Sequence, residues 1–244
     1  MYFNNPFEQF ELFNISFFNF FNFNNLFVYY YLIFLSFFIF FILGVYRILL
    51  LPSVNQMIIE DIYRFVLVIF QQQIGIRHSL VMFPLVITLF IFILISNLSG
   101  LLPYGFTVTG HILLTFTLSF SIFIAITING FINHKIYFLK LFVPSNTPKV
   151  LLVLLVGIEI ISYFIRPFSL SIRLFANMLA GHILLNIVTS FTLYLLKLNF
   201  IFSLIPFLFI FAIGGLELAI AFIQSYVFIV LTIIYINDSY NISH

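Results

Sequence analysis

The sequence has no cysteine and no tryptophan, and only 7% of its residues are charged. Without cysteine there can be no disulfide, no thiolate-ligated zinc and no iron–sulfur cluster, and the redox compartment cannot be read from thiols. An ordinary soluble domain carries roughly 25% charged residues. Here 64% are hydrophobic and the mean hydropathy is +1.24. No soluble fold hides that much apolar surface, so the solvent is lipid. The net charge of +2 is too small for a nucleic-acid partner. The 38 phenylalanines, with abundant Ile, Asn and Tyr, point to an AT-rich gene of the kind found in an organelle genome.

Residues 1–25 are rich in Asn and Phe and carry Glu8 and Glu11. They lack the basic start of a secretory signal or transit peptide, which predicts a chain made in the compartment that uses it. The remainder, 26–244, reads as one membrane domain. Residues 26–46 carry no charge and are long enough to cross a bilayer core of ~30 Å. Residues 58–73 place Ile58, Ile62, Phe65, Val66 and Ile69 between Glu60, Asp61 and Arg64, the pattern of an amphipathic helix lying at the interface. Residues 80–102 and 111–131 read as spans joined by a Pro103-Tyr-Gly turn, and 133–148 as a loop with a short surface helix. Arg47, Arg64 and Arg77 lie in one connecting region and Lys135, Lys140 and Lys149 in another. With the N-terminus outside, both fall on the inner side of the membrane.

Residues 149–196 and 200–236 are too long for simple spans. At ~1.5 Å per residue they reach about 70 Å and about 55 Å. The expected fold is therefore an all-α membrane protein with about three N-terminal spans and one or more interfacial helices. It ends in a hairpin of two long, strongly tilted helices, over residues 148–238, with kinks at Pro167 and Pro206.

Polar residues inside these runs are the functional signal. Glu159, Ser162, Arg166, Ser169, Arg173 and Asn177 recur every three or four positions and form one stripe on the first long helix. Serine and asparagine in such a stripe serve equally well as glue between helices. Arginine does not, because it stays charged and costs at least ~2.5–3.5 kcal/mol at the bilayer centre. Arg173 is therefore the leading candidate. Arg166 is a weaker one, since it also fits a membrane edge. His182 should face a different surface from Arg173. In an antiparallel hairpin, residues are level when their numbers add to a near-constant total. By that rule Arg173 meets Gln224, Glu159 meets Asp238, and His182 meets Glu217. Two titratable stations separated by a fixed positive charge make two half-paths for protons with a barrier between them.

At these residues the chain resembles subunit a of the rotary proton-translocating ATP synthases. The resemblance lies in Ser171-Ile-Arg-Leu-Phe-Ala-Asn-Met-Leu-Ala-Gly-His182 and in Leu216-Glu-Leu-Ala-Ile-Ala-Phe-Ile-Gln-Ser-Tyr-Val-Phe228. Weaker likenesses are Phe83-Pro-Leu and Asn97-Leu-Ser-Gly-Leu-Leu-Pro-Tyr104. The resemblance implies that Arg173 faces the carboxylates of a rotating c-subunit ring, with Gln224 beside it. It places His182 and Glu217 on the incoming half-channel, and Glu159 and Asp238 on the outgoing one. Asn177 and Ser169 are supporting positions. It further implies a multi-pass location in the mitochondrial inner membrane, no cofactor and no metal. The implied partners are the c-ring, other membrane and peripheral-stalk subunits, and membrane lipids. The sequence carries no GxxxxGK[ST] run, so ATP chemistry is expected on other subunits and none on this chain. The alternative is a proton- or cation-coupled membrane transporter, which ordinarily shows repeated halves; none is found here.

Overall fold

The computed structural model describes residues 14–17, 21–24, 31, 34–35, 54–74, 79–101, 107–143, 149–198 and 200–240. Most of the expected first span and the Pro103 turn lie outside the described residues. Near the N-terminus, β1 (Asn14–Phe17) pairs antiparallel with β2 (Phe21–Asn24), Asn14 opposite Asn24 and Phe17 opposite Phe21. Nearly all the other described residues are helical, and the protein has the architecture of an all-α membrane protein.

Five long helices follow among the described residues: α1 (Val54–Ile74), α2 (Ser79–Gly100), α3 (Ile112–His134), α4 (Lys149–Leu198) and α5 (Phe200–Tyr240). The last four are long and apolar enough to cross a membrane. The expected surface helix after α3 is a 3-10 segment, Lys135–Phe142, entered through a left-handed Lys135 (φ 51°). Its Phe138 is buried under Gly130.

The two long helices run without interruption through Pro167 and Pro206. At 1.5 Å per residue, the 50 residues of α4 extend about 75 Å and the 41 of α5 about 60 Å. Neither fits upright in a ~30 Å core.

The C-terminal half of α5 is the centre of the packing. Ile229, Ile233 and Ile236 meet Val66 and Phe70 of α1 and Phe83, Val86 and Phe90 of α2. Phe228 meets Ile93 of α2, Ile122 of α3, and Leu170 and Leu174 of α4. The amphipathic stripe of α1 is therefore turned against α2 and α5, while Glu60 and Arg64 pair at 4.0 Å on its outer side. On α3, the small residues Thr115 and Ser119 are buried, and Thr115 shares a 3.2 Å hydrogen bond with Ser171 of α4. Small polar residues let helices approach closely where lipid removes the hydrophobic drive for association. Towards the α4–α5 turn the packing thins, and Leu193, Leu204 and Ile205 are exposed. Exposed apolar side chains of this kind are what a lipid-facing surface requires.

Candidate functional site

The polar residues of α4 and α5 divide into three groups along the hairpin. Nearest the turn, His182 and Glu217 are buried at 9% and 6% exposure. No hydrogen bond joins them among the described residues. His182 Nε2 points to Gly100 at the end of α2, where a Cβ would lie 3.6 Å from it. The Glu217 carboxylate lies against Gly181, where a Cβ would come within 2.7 Å of Oε1. His182 Nε2 and both Glu217 oxygens have no protein hydrogen-bond partner among the described residues. Buried polar atoms left so are costly, about 1–3 kcal/mol each, and call for a functional explanation. Asn97 of α2 is fully buried nearby and donates to the Ala221 carbonyl at 3.5 Å.

In the middle group, Asn177 Nδ2 donates to Gln224 Oε1 at 2.9 Å. Gln224 is buried, whereas Asn177 and Arg173 are exposed. Arg173 makes no hydrogen bond or ion pair among the described residues. Arg173 and Gln224 were expected to lie level; the bond that Gln224 makes is to Asn177, one turn further along α4.

At the far end, Arg166 Nη1 donates to Asp238 Oδ2 at 3.0 Å, and its Nη2 lies 4.0 Å from Glu159 Oε1. Its guanidinium also stands over two rings, 5.2 Å from the Tyr163 centroid and 4.8 Å from that of Tyr235. Glu159 and Asp238 do share one place, as expected, but Arg166 sits between them. Ser169 turns back on its own helix and donates to the Arg166 carbonyl at 2.9 Å.

The slip from the expected pairing has a physical cause. Helical side chains lean towards their own N-terminus. In an antiparallel hairpin the α4 tips lean away from the turn and the α5 tips lean towards it. Partners therefore have higher numbers than the backbone level implies, and more so for longer side chains. The sequence Gly181–Glu217, Asn177–Gln224, Arg166–Asp238 follows that order.

Residues 26–237 match the ATP synthase A chain family. The chain belongs to that family. It is similar to the ATP synthase subunit a of Acanthamoeba castellanii, 55% identical over 194 residues that cover 80% of this chain and 78% of the relative. It is 48% identical to that of Dictyostelium citrinum over 200 residues, covering 82% and 81%. It is 45% identical to that of the bacterium Pelagibacter ubique over 202 residues, covering 83% and 81%. The chain is accordingly a multi-pass membrane component of the ATP synthase and works with the other subunits of that complex.

In this ATP synthase component, Arg166, the weaker arginine candidate, is the one paired within the chain, and Gly181, Gly100 and Asn97, not singled out from the sequence, adjoin Glu217, His182 and Ala221. Arg166 could have been found from its spacing, because Glu159 stands two turns before it on the same helix face. Nothing in one sequence marks Gly181 as the space that Glu217 occupies.

Proposed function

We propose that the chain conducts protons through two offset half-channels to and from the carboxylates of a c-subunit ring, and so couples proton-motive force to ring rotation. His182 and Glu217 line the incoming path. Glu159 and Asp238 line the outgoing one. Arg173 stands between them as the counter-ion for ring carboxylates, with Asn177 and Gln224 beside it. Ser169 and Asn177 support the α4 backbone and its pairing with α5. The observation that carries this reading is the contrast in exposure along α4. Arg173 is exposed and unpaired among the described residues, while His182 and Glu217 on one side of it are buried and Glu159 and Asp238 on the other are part-buried around Arg166.

A permanent cation on an open intramembrane face needs an anion from elsewhere. A ring carboxylate must be neutral to face lipid and is stabilised as an anion only near such a cation. As it meets Arg173 it gives up its proton on one side and takes another from the opposite half-channel. The fixed charge repels protons that would leak directly between the two. Each charge crossing the full potential supplies ~2.3 kcal/mol per 100 mV, and the ring's rotation delivers this to subunits that carry the ATP chemistry. This chain's part is transport, with no catalytic step of its own. Relatives from amoebae, together with the composition of an AT-rich gene, support a mitochondrial inner membrane location and an organelle gene.

The test is Arg173→Ala in the assembled synthase. Proton-coupled ATP synthesis is expected to vanish while the complex still assembles. Coupled synthesis at the normal rate would overturn the reading.

A further inference from the structure

Arg166 is held by four side chains of this chain. Asp238 holds it at 3.0 Å, Glu159 lies at 4.0 Å, and Tyr163 and Tyr235 flank it with their rings. Its side chain is 18% exposed, against 35% for Glu159 and 37% for Asp238. Tyr163 is itself fixed by Phe142 at 5.3 Å and Phe123 at 5.0 Å. A guanidinium keeps its proton throughout, and one caged in this way cannot swing out to another subunit. Arg173, exposed two turns further along the same helix face, is free to do so. The two arginines of α4 therefore have different partners.

Charge balance then separates the two carboxylates. Two anions share one cation, so only one of them is neutralised. Asp238 lies within hydrogen-bond distance of the guanidinium, whereas Glu159 at 4.0 Å lies beyond it. We infer that Arg166 is a positioning residue that divides the pair: Asp238 is its standing counter-ion, and Glu159 alone carries the outgoing proton. This rests on the half-channel reading above. The step is a proton transfer to the Glu159 carboxylate from the carboxyl group delivered to the outgoing path, which is left ionised. The proton then passes from Glu159 to water at the membrane face, and Glu159 is an anion again. Arg166 and Asp238 exchange no proton. Asp238 keeps the guanidinium from closing on Glu159 and trapping it as a fixed ion pair.

The experiment measures ATP-driven proton pumping by the intact synthase in liposomes, with assembly followed on native gels. Glu159→Gln and Arg166→Gln should each lower pumping about tenfold or more. Asp238→Asn should also lower it, because Arg166 is then released onto Glu159. The deciding variants are the doubles. Arg166→Gln with Asp238→Asn removes the ion pair together and leaves Glu159 as the single anion, so most of the rate should return. Arg166→Gln with Glu159→Gln leaves the same net charge on the wrong residue and should stay slow. Equal recovery in both doubles, or recovery in the second alone, overturns the assignment. If the neutral doubles fail to assemble, the conservative singles decide. Asp238→Glu should be tolerated, and Glu159→Asp, which withdraws the carrier by one methylene, should slow pumping several-fold; the opposite order overturns the assignment. Wild-type pumping by both Glu159→Gln and Asp238→Asn would instead refute the outgoing half-channel itself.

Discussion

Gly181 of α4 and Glu217 of α5 occupy one space: a Cβ on Gly181 would stand 2.7 Å from Glu217 Oε1 and 3.1 Å from the carboxylate carbon. The glycine is what allows a carboxylate to be buried between the two helices. Gly181→Ala must push Glu217 aside, and a flexible side chain can yield. The helices should therefore still pack and the complex still assemble, while proton-coupled ATP synthesis falls several-fold. Gly181→Val, which asks for more room, should fall further. The measurement is synthesis rate per assembled complex; an unchanged rate in both variants would show that the position of Glu217 is unimportant.

Asn177 and Gln224 make the interhelical hydrogen bond of the central group, 2.9 Å long, with Gln224 at 4% exposure. Removing Asn177 leaves a buried amide without its partner. Interhelical hydrogen bonds in membranes are worth about 0.6–2 kcal/mol, so Asn177→Ala should lower the thermal stability of the detergent-solubilised complex by an amount on that scale. Asn177→Asp keeps an acceptor but loses the donated N–H, and should be no better. Stability equal to wild type in Asn177→Ala would mean that the bond contributes nothing.

The register of the hairpin is open to cross-linking. The lean of side chains towards helix N-termini brings Asn177, rather than Arg173, to Gln224. In the assembled complex, cysteines at 177 and 224 should react with a short bifunctional reagent faster than cysteines at 173 and 224. The reverse order would restore the backbone-level pairing and remove the stated reason for the slip.

The helices α2 to α5 were legible because apolar runs of that length have few alternatives, and Arg173 stands out in them because a charge there is rare. The three polar groups were found in the right order along the hairpin, since helix rise alone sets their level. Their bonding partners were not, because a pairing of tips depends on side-chain length and lean, which a count of residues ignores. The surroundings of Arg166 were not legible for a related reason: they are made by Asp238 and Tyr235 from the other helix. Gly181 and Gly130 matter through the neighbour that fills their space, and a glycine carries no trace of its neighbour.

Gly130 and Phe138 give the sharpest case. The 3-10 segment folds back on α3 so that the Phe138 ring lies on Gly130, where any Cβ would overlap the ring edge. The ring cannot retreat easily. It is 2% exposed and wedged by Phe131 at 4.7 Å, with Phe142 and Tyr163 each 6.5 Å away. Overfilling a packed site costs typically 1–3 kcal/mol, so Gly130→Ala should destabilise the complex by about that amount. The same crowding reaches Tyr163, which flanks Arg166, so pumping should fall along with stability. Shortening the opposing side chain should relieve both. Phe138→Leu on its own leaves a gap and is expected to destabilise as well, but the double variant Gly130→Ala with Phe138→Leu should be more stable than the two single losses added together. Residues in direct contact show such coupling, typically 0.5–3 kcal/mol, whereas separated ones do not. Thermal denaturation of the three variants measures it. Strict additivity would mean that the ring does not rest on Gly130, and that the 3-10 segment has no hold on the aromatic cage around Arg166.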